Sequence, residues 1–159
     1  MTQAAPAPVV QAVYENMFTA DEALRFSAAE IRQAIANWVG QGRMDIADAL
    51  VAAGISLYPE SEDILAIGTL VAEVNEDWAQ AQECAERLMK IQGEQTPAET
   101  WYHLIRIMRC RGAYYDAFRH VKRAIRRFPA HEGLREAHEQ LAALVESAPV
   151  EVESEAKVA

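Results

Sequence analysis

The sequence has little of what small enzymes and secreted domains are built from. Only two cysteines occur in 159 residues, Cys84 and Cys110, with seven glycines and six prolines, which excludes a disulfide framework and argues against a loop-rich fold. Both cysteines sit in helix-forming text, so reduced thiols are expected. Cys84 lies beside Ala81 and Ala85 as a small core residue, and no activating partner marks Cys110 as a nucleophile. No apolar run approaches membrane-spanning length, and no basic residue precedes Arg25. The opening MTQAAPAPVV thus lacks the charged start of a secretory leader. A cytoplasmic protein without membrane insertion is expected. Neither a Gly-rich phosphate loop nor a strand to present one is seen.

Reactive constellations are equally sparse. His103, His120, His131 and His138 all fall after residue 100, but none forms a paired-histidine metal spacing with a fitting carboxylate. Carboxylate pairs such as Asp45 with Asp48, or Glu62 with Asp63, suit solvated helix faces and helix N-termini. The expectation is a non-enzymatic protein with no cofactor and no metal.

What is present is ordinary globular composition, 51% hydrophobic and 25% charged, enough for one buried core. The net charge of −9 is unevenly spread. Residues 98–131 hold eight Lys and Arg against Glu99 and Asp116, which is +6, and the remainder holds seven against twenty-two, which is −15. The acidic total, and the lack of aromatics interleaved among the basic residues, argue against a nucleic-acid partner. Low-complexity text marks residues 1–7 as a flexible start and 147–159 as a disordered acidic tail, leaving one domain over 8–146.

Within that domain the small residues recur. Gly42, Ala47, Val51, Gly54 and Pro59 stand 70 residues before Gly112, Ala117, Val121, Ala124 and Pro129. The gap holds one further unit, two residues longer, with Gly68, Ala81 and Ala85 in the small places. Its extra residue is expected near Asn75 to Trp78, so its register against its neighbours can be shifted by one. Ser27 with Glu30 and Thr96 with Glu99 have capping-box spacing, Pro97 suits a first helical turn, and Ser61 suits another cap.

A period near 34 with two helices per unit resembles the tetratricopeptide repeat, TPR. The third unit carries Trp101, Leu104, Tyr114, Ala117, Ala124 and Pro129 where that repeat places them; Ile105 and Met108 depart from it. The resemblance implies an all-α solenoid of three helix pairs over 28–61, 62–97 and 98–131. Leu134, His138, Leu141 and Leu144 mark a capping helix over 132–146. Val10, Val13, Tyr14, Met17 and Phe18 mark an N-terminal helix, which is also a candidate for homo-oligomer formation.

By the same resemblance the first helices line a concave groove that binds a protein segment. The groove-facing offsets fall on Arg32, Ala36 and Val39, on Leu65, Thr69 and Ala72, and on Tyr102, Arg106 and Arg109. The last trio suits a partner of acidic and apolar character, since Arg chelates carboxylates and Tyr offers rigid contact area. The basic third repeat, with Arg119, Lys122, Arg123, Arg126 and Arg127 on its second helix, is a second candidate for self-association. Length, repeat number and acidity are similar to those of the cytoplasmic TPR chaperones of type III secretion translocators. An assembly adaptor of a larger complex is the alternative.

Overall fold

The computed structural model describes residues 26–147. Among the described residues seven α-helices follow one another: α1 (Ala28–Gly40), α2 (Met44–Leu57), α3 (Glu62–Val74), α4 (Trp78–Gln92), α5 (Ala98–Cys110), α6 (Tyr114–Arg127) and α7 (Glu132–Ser147), with a 3-10 turn at Gly93–Gln95. No strand occurs among the described residues. The expected N-terminal helix and the tail beyond Ser147 lie outside them.

Each of the first three pairs closes by the same turn. The N–H of Arg43 donates to Trp38 O at 3.0 Å, that of Asp77 to Ala72 O at 2.8 Å, and that of Ala113 to Met108 O at 2.9 Å. This six-to-one closure requires a left-handed residue just before the donor. Gly42 (φ 72°) and Gly112 (φ 82°) supply it at low cost, and Glu76 (φ 58°) supplies it in the middle pair without being glycine.

The common turn settles the register. First helices begin at Ala28, Glu62 and Ala98, and second helices at Met44, Trp78 and Tyr114, so both steps are 34 and then 36 residues. The two extra residues of the middle unit therefore follow α4, around Gly93–Gln95, and not Asn75 to Trp78 as expected. Glu76 in the glycine place concealed this.

Capping follows the sequence at two of three expected starts. Ser27 Oγ accepts from Glu30 N at 3.3 Å while Glu30 Oε2 accepts from Ser27 N at 2.8 Å; Ser61 Oγ accepts from Ile64 N at 3.4 Å. Thr96 behaves differently. Its buried hydroxyl donates to Gly93 O at 2.7 Å, because the extra turn leaves carbonyls at the end of α4 that need a donor. Pro97 takes the cap position of α5 with no side-chain bond.

Packing explains the small residues. Ala47, Ala81 and Ala117 are fully buried. A Cβ on Gly54 would stand 3.1 Å from Ile64 Cδ1 and 3.3 Å from Ile31 Cγ2, and one on Gly68 3.2 Å from Val51 Cγ1. Two core clusters result. One gathers Ile31, Ile35, Trp38, Leu50, Val51 and Ile64; the other gathers Trp101, Leu104, Met108 and Val121 with Leu134 and Leu141 of α7. Of the expected capping stripe, Leu134 and Leu141 are buried and His138 stacks on Phe118 at 5.6 Å, while Leu144 is exposed.

A left-handed non-glycine residue costs roughly 1–2 kcal/mol, partly offset by the entropy a glycine loses on folding. Glu76→Gly is expected to raise the melting temperature by about 1–4 °C; a fall in a thermal melt would contradict this register. The Ser27 N–H, and then its hydroxyl, hold the Glu30 carboxyl below the usual carboxylate range. A depressed folded pKa stabilises above the unfolded value and is lost as pH falls through the folded one. Glu30→Gln is accordingly expected to flatten the acid limb of the stability curve, measured by urea melts between about pH 2 and pH 5.

Candidate functional site

Helices α1, α3 and α5 hold corresponding places in the three pairs. Adding 34 and then 36 to Arg32, Ala36 and Val39 gives Ala66, Leu70 and Glu73, and then Tyr102, Arg106 and Arg109. That is the corrected stripe along the first helices.

Most of the expected residues are on it. Arg32 is exposed and lies 3.7 Å from Asp63 of α3; Ala36 and Val39 are half-buried. Leu65, Thr69 and Ala72 are a correction: they are 0%, 2% and 2% exposed, one residue out of register. They occupy the places of Ile31, Ile35 and Trp38 in the first pair and face the interior for the same reason. The Thr69 hydroxyl donates within its own helix to Leu65 O at 2.8 Å. No partner can reach these three. In their stead α3 presents half-buried Ala66, and exposes Leu70 by 47% and Val74 by 61%.

Helix α3 approaches α5 less closely than it approaches α1, consistent with the two residues inserted before α5. A polar cluster bridges the two helices. Glu73 Oε1 pairs with His103 Nε2 at 2.7 Å, and Glu73 Oε2 accepts from Arg106 Nη2 at 2.5 Å. The same Arg106 nitrogen lies 3.1 Å from His103 Nε2. The Glu73 side chain is only 10% exposed, that of Arg106 49%. The guanidinium thus engages Glu73 through one terminal nitrogen, and its remaining N–H groups are left for another acceptor.

The other two members of the third trio are held from α7. Arg109 Nη2 donates to Gln140 Oε1 at 2.7 Å. The Tyr102 ring lies tilted on His131 at 5.7 Å, and a Cβ on Gly133 would stand 3.0 Å from it. His131 Nδ1 in turn accepts from Leu134 N at 3.1 Å, capping α7. Tyr102 is therefore part of the α5–α7 junction as well as of the surface.

Glu73, Leu70 and His103 escape the sequence reading. Counting 34 residues forward from the first unit finds the first two, provided Asn75-Glu76-Asp77 is recognised as the counterpart of Gln41-Gly42-Arg43. His103 stands out in the sequence only as a metal-ligand type. Among the described residues no three His, Cys, Asp or Glu side chains gather as a metal site. No helix among them is long and apolar enough to cross a membrane. Burial pushes the Cys84 thiol up, and Cys110 is exposed.

No family model matches the chain, and no curated protein matches it by sequence. Solved structures do. The first TPR of Spaghetti (RPAP3) bound to HSP90 peptide SRMEEVD superposes with TM-score 0.63 at 11% identity, over 76% of this chain and 94% of that one. The Sgt2 TPR domain from Aspergillus fumigatus gives TM-score 0.60 at 14% identity, covering 83% and 91%. MamA MSR-1 C2 gives 0.66 at 15%, covering 84% and 74%. The fold is a TPR-like α-solenoid.

An ion pair of this kind contributes about 1 kcal/mol when one partner is half-exposed. A double-mutant cycle of Glu73→Gln with Arg106→Gln, read by urea denaturation, is expected to return a coupling of about 0.5–1 kcal/mol. Additivity of the two changes would mean that the bridge between α3 and α5 contributes nothing to holding them in place.

Proposed function

We propose that the face formed by α1, α3 and α5 holds a segment of a partner protein, extended or helical, with apolar and acidic residues close together. The observation that carries this is the exposure of Leu70 and Val74 on α3, which flank in sequence the Glu73 that binds the half-exposed Arg106 guanidinium of α5. Exposed large apolar side chains cost free energy in water and gain it when covered. A carboxylate entering beside them finds N–H donors on Arg106, for which Glu73 already serves as a built-in counter-ion.

The peptide seen on the Spaghetti TPR, SRMEEVD, combines Met and Val with three carboxylates. A solenoid of that shape can therefore accept such chemistry; at 11% identity the likeness is one of fold, and the recognising residues proposed here are this chain's own. Two narrower roles use the same face: holding an unfolded client, as TPR chaperones of type III secretion translocators do, or bridging folded subunits as an assembly adaptor. No side chain of the groove selects between them. A chaperone raises the solubility of its co-expressed client, and an adaptor leaves a folded partner's solubility unchanged.

The test uses a displayed library of random peptides. Wild type is expected to enrich sequences with a carboxylate next to an apolar residue, and Leu70→Asp or Arg106→Glu to weaken the enriched peptides by about tenfold or more. Leu70 is exposed, so Leu70→Asp should melt within a few degrees of wild type; Arg106→Glu also sets a carboxylate against Glu73, so Arg106→Gln serves as the control that removes the cation without that repulsion. Tyr102 is a poorer probe because it also seats α7. Equal affinity of wild type and both variants for the same peptides would sink the groove assignment.

A further inference from the structure

Helix α6 carries five cations that the proposed groove does not use. Arg119, Lys122, Arg123, Arg126 and Arg127 are all exposed on the second helix of the third pair. Like charges stand four apart at 119 and 123, 122 and 126, and 123 and 127, a spacing that destabilises a helix unless something neutralises it. Arg119 pairs with Asp116. Lys122 lies over Phe118 at 5.3 Å, Arg123 over Trp101 at 5.7 Å and Arg127 over Phe128 at 5.6 Å. Arg126 makes no ion pair or ring contact among the described residues, and none of the α7 glutamates pairs with any of these cations.

Four side chains, Tyr115, Arg119, Lys122 and Arg126, fall at i, i+4, i+7 and i+11, one stripe down the helix. The stripe flanks the side of α6 that meets α7 through Phe118 and His138. Tyr115 is 56% exposed at its head, so an aromatic surface is continuous with the cations.

We infer that this stripe is the docking surface for an acidic linear segment, and that its resident occupant is the chain's own residues 148–159. Three observations select that segment. The first is charge: it reads APVEVESEAKVA, with Glu151, Glu153 and Glu155 on alternate positions and one Lys. The second is where it starts. α6 and α7 run antiparallel from the Phe128–His131 turn, and at 1.5 Å per residue they extend about 21 Å and about 24 Å from it. Ser147 thus ends level with Tyr114 and Tyr115, at the head of the stripe. The third is reach. The four residues from Ser147 to Glu151 span up to about 14 Å, while Arg119 lies about 7.5 Å along the helix from Tyr114.

Three alternate glutamates on an extended chain cover about 13 Å, and Arg119 to Arg126 covers about 10.5 Å. Carboxylates and cations therefore match in number and nearly in pitch. Tethering gives the segment an effective concentration on the order of millimolar, above that of a second copy of the chain in dilute solution. The tethered segment is thus favoured over the acidic first repeats of another molecule.

The experiment uses the full chain with a nitroxide attached to the thiol introduced by Val158→Cys, in a Cys110→Ser background; Cys84 is buried. At low salt the amides of Tyr115, Arg119, Lys122 and Arg126 should broaden. That broadening should fall at least about threefold in about 0.5 M NaCl, where the Debye length is about 4 Å. It should fall equally in the Glu151→Gln, Glu153→Gln, Glu155→Gln triple variant, whose changes touch no residue of the folded core. Broadening that survives both treatments, or that never exceeds the level next to Ser147, would overturn the proposal. Broadening that disappears on dilution with unlabelled chain would assign the stripe to a second copy and overturn it as well.

Discussion

Each helix pair turns on one left-handed residue, and the rest of the solenoid is built on that reversal. A three-residue connection brings the second helix back at once against the first, so the side chains facing each other near the turn must be small. Ala47, Ala81 and Ala117 occupy that place and are fully buried. Further along, Gly54 and Gly68 admit Ile64 and Val51 so closely that an added Cβ would press on them. The turn therefore determines the packing of each pair, the packing determines which face of each first helix points outward, and that outward face is the surface offered to a partner.

Much of this is legible in the sequence. Gly42 and Gly112 declare their role because almost nothing else takes a positive φ cheaply, and Ser27 with Glu30 announces a helix start by a spacing that has one geometric meaning. The middle pair is harder. Glu76 occupies the left-handed place but looks like any surface glutamate, and Gly68, which packs against Val51, reads as a register mark. One residue of slip rotates a helix by about 100°, which is why Leu65, Thr69 and Ala72 are expected outside and are found inside. Thr96 is legible as a cap and serves a different set of carbonyls, since no local rule reports where an inserted turn will leave unsatisfied acceptors.

The polar features of the surface follow a different logic. Composition says that residues 98–131 are basic, but it does not say which cations are already engaged. Arg106 is shared with His103 around Glu73, Arg109 is held by Gln140, and Arg32 stands by Asp63. What looks like a bare positive patch in the groove has a carboxylate beside Arg32 and Arg106 and a neutral amide on Arg109, each from a neighbour about 30 residues distant in sequence. Among the described residues the largest group of cations without a carboxylate beside them lies on α6, where only Arg119 has one, from Asp116. Mixed apolar and ionic recognition in the groove and a denser run of charge on α6 is a division that residue counting could not separate.

The two core clusters divide within the middle pair, and the short turn at Gly93–Gln95 lies in the second, between Ala81 and Ala85 of α4 and Trp101 and Leu104 of α5. The turn's extra length goes with a looser meeting of α3 and α5, where Glu73 bridges to His103 and Arg106. Insertions and deletions in a connection behind the groove are therefore a means of changing its aperture without altering a single residue inside it. Selectivity in a solenoid of this kind can be retuned by the length of chain that no ligand touches.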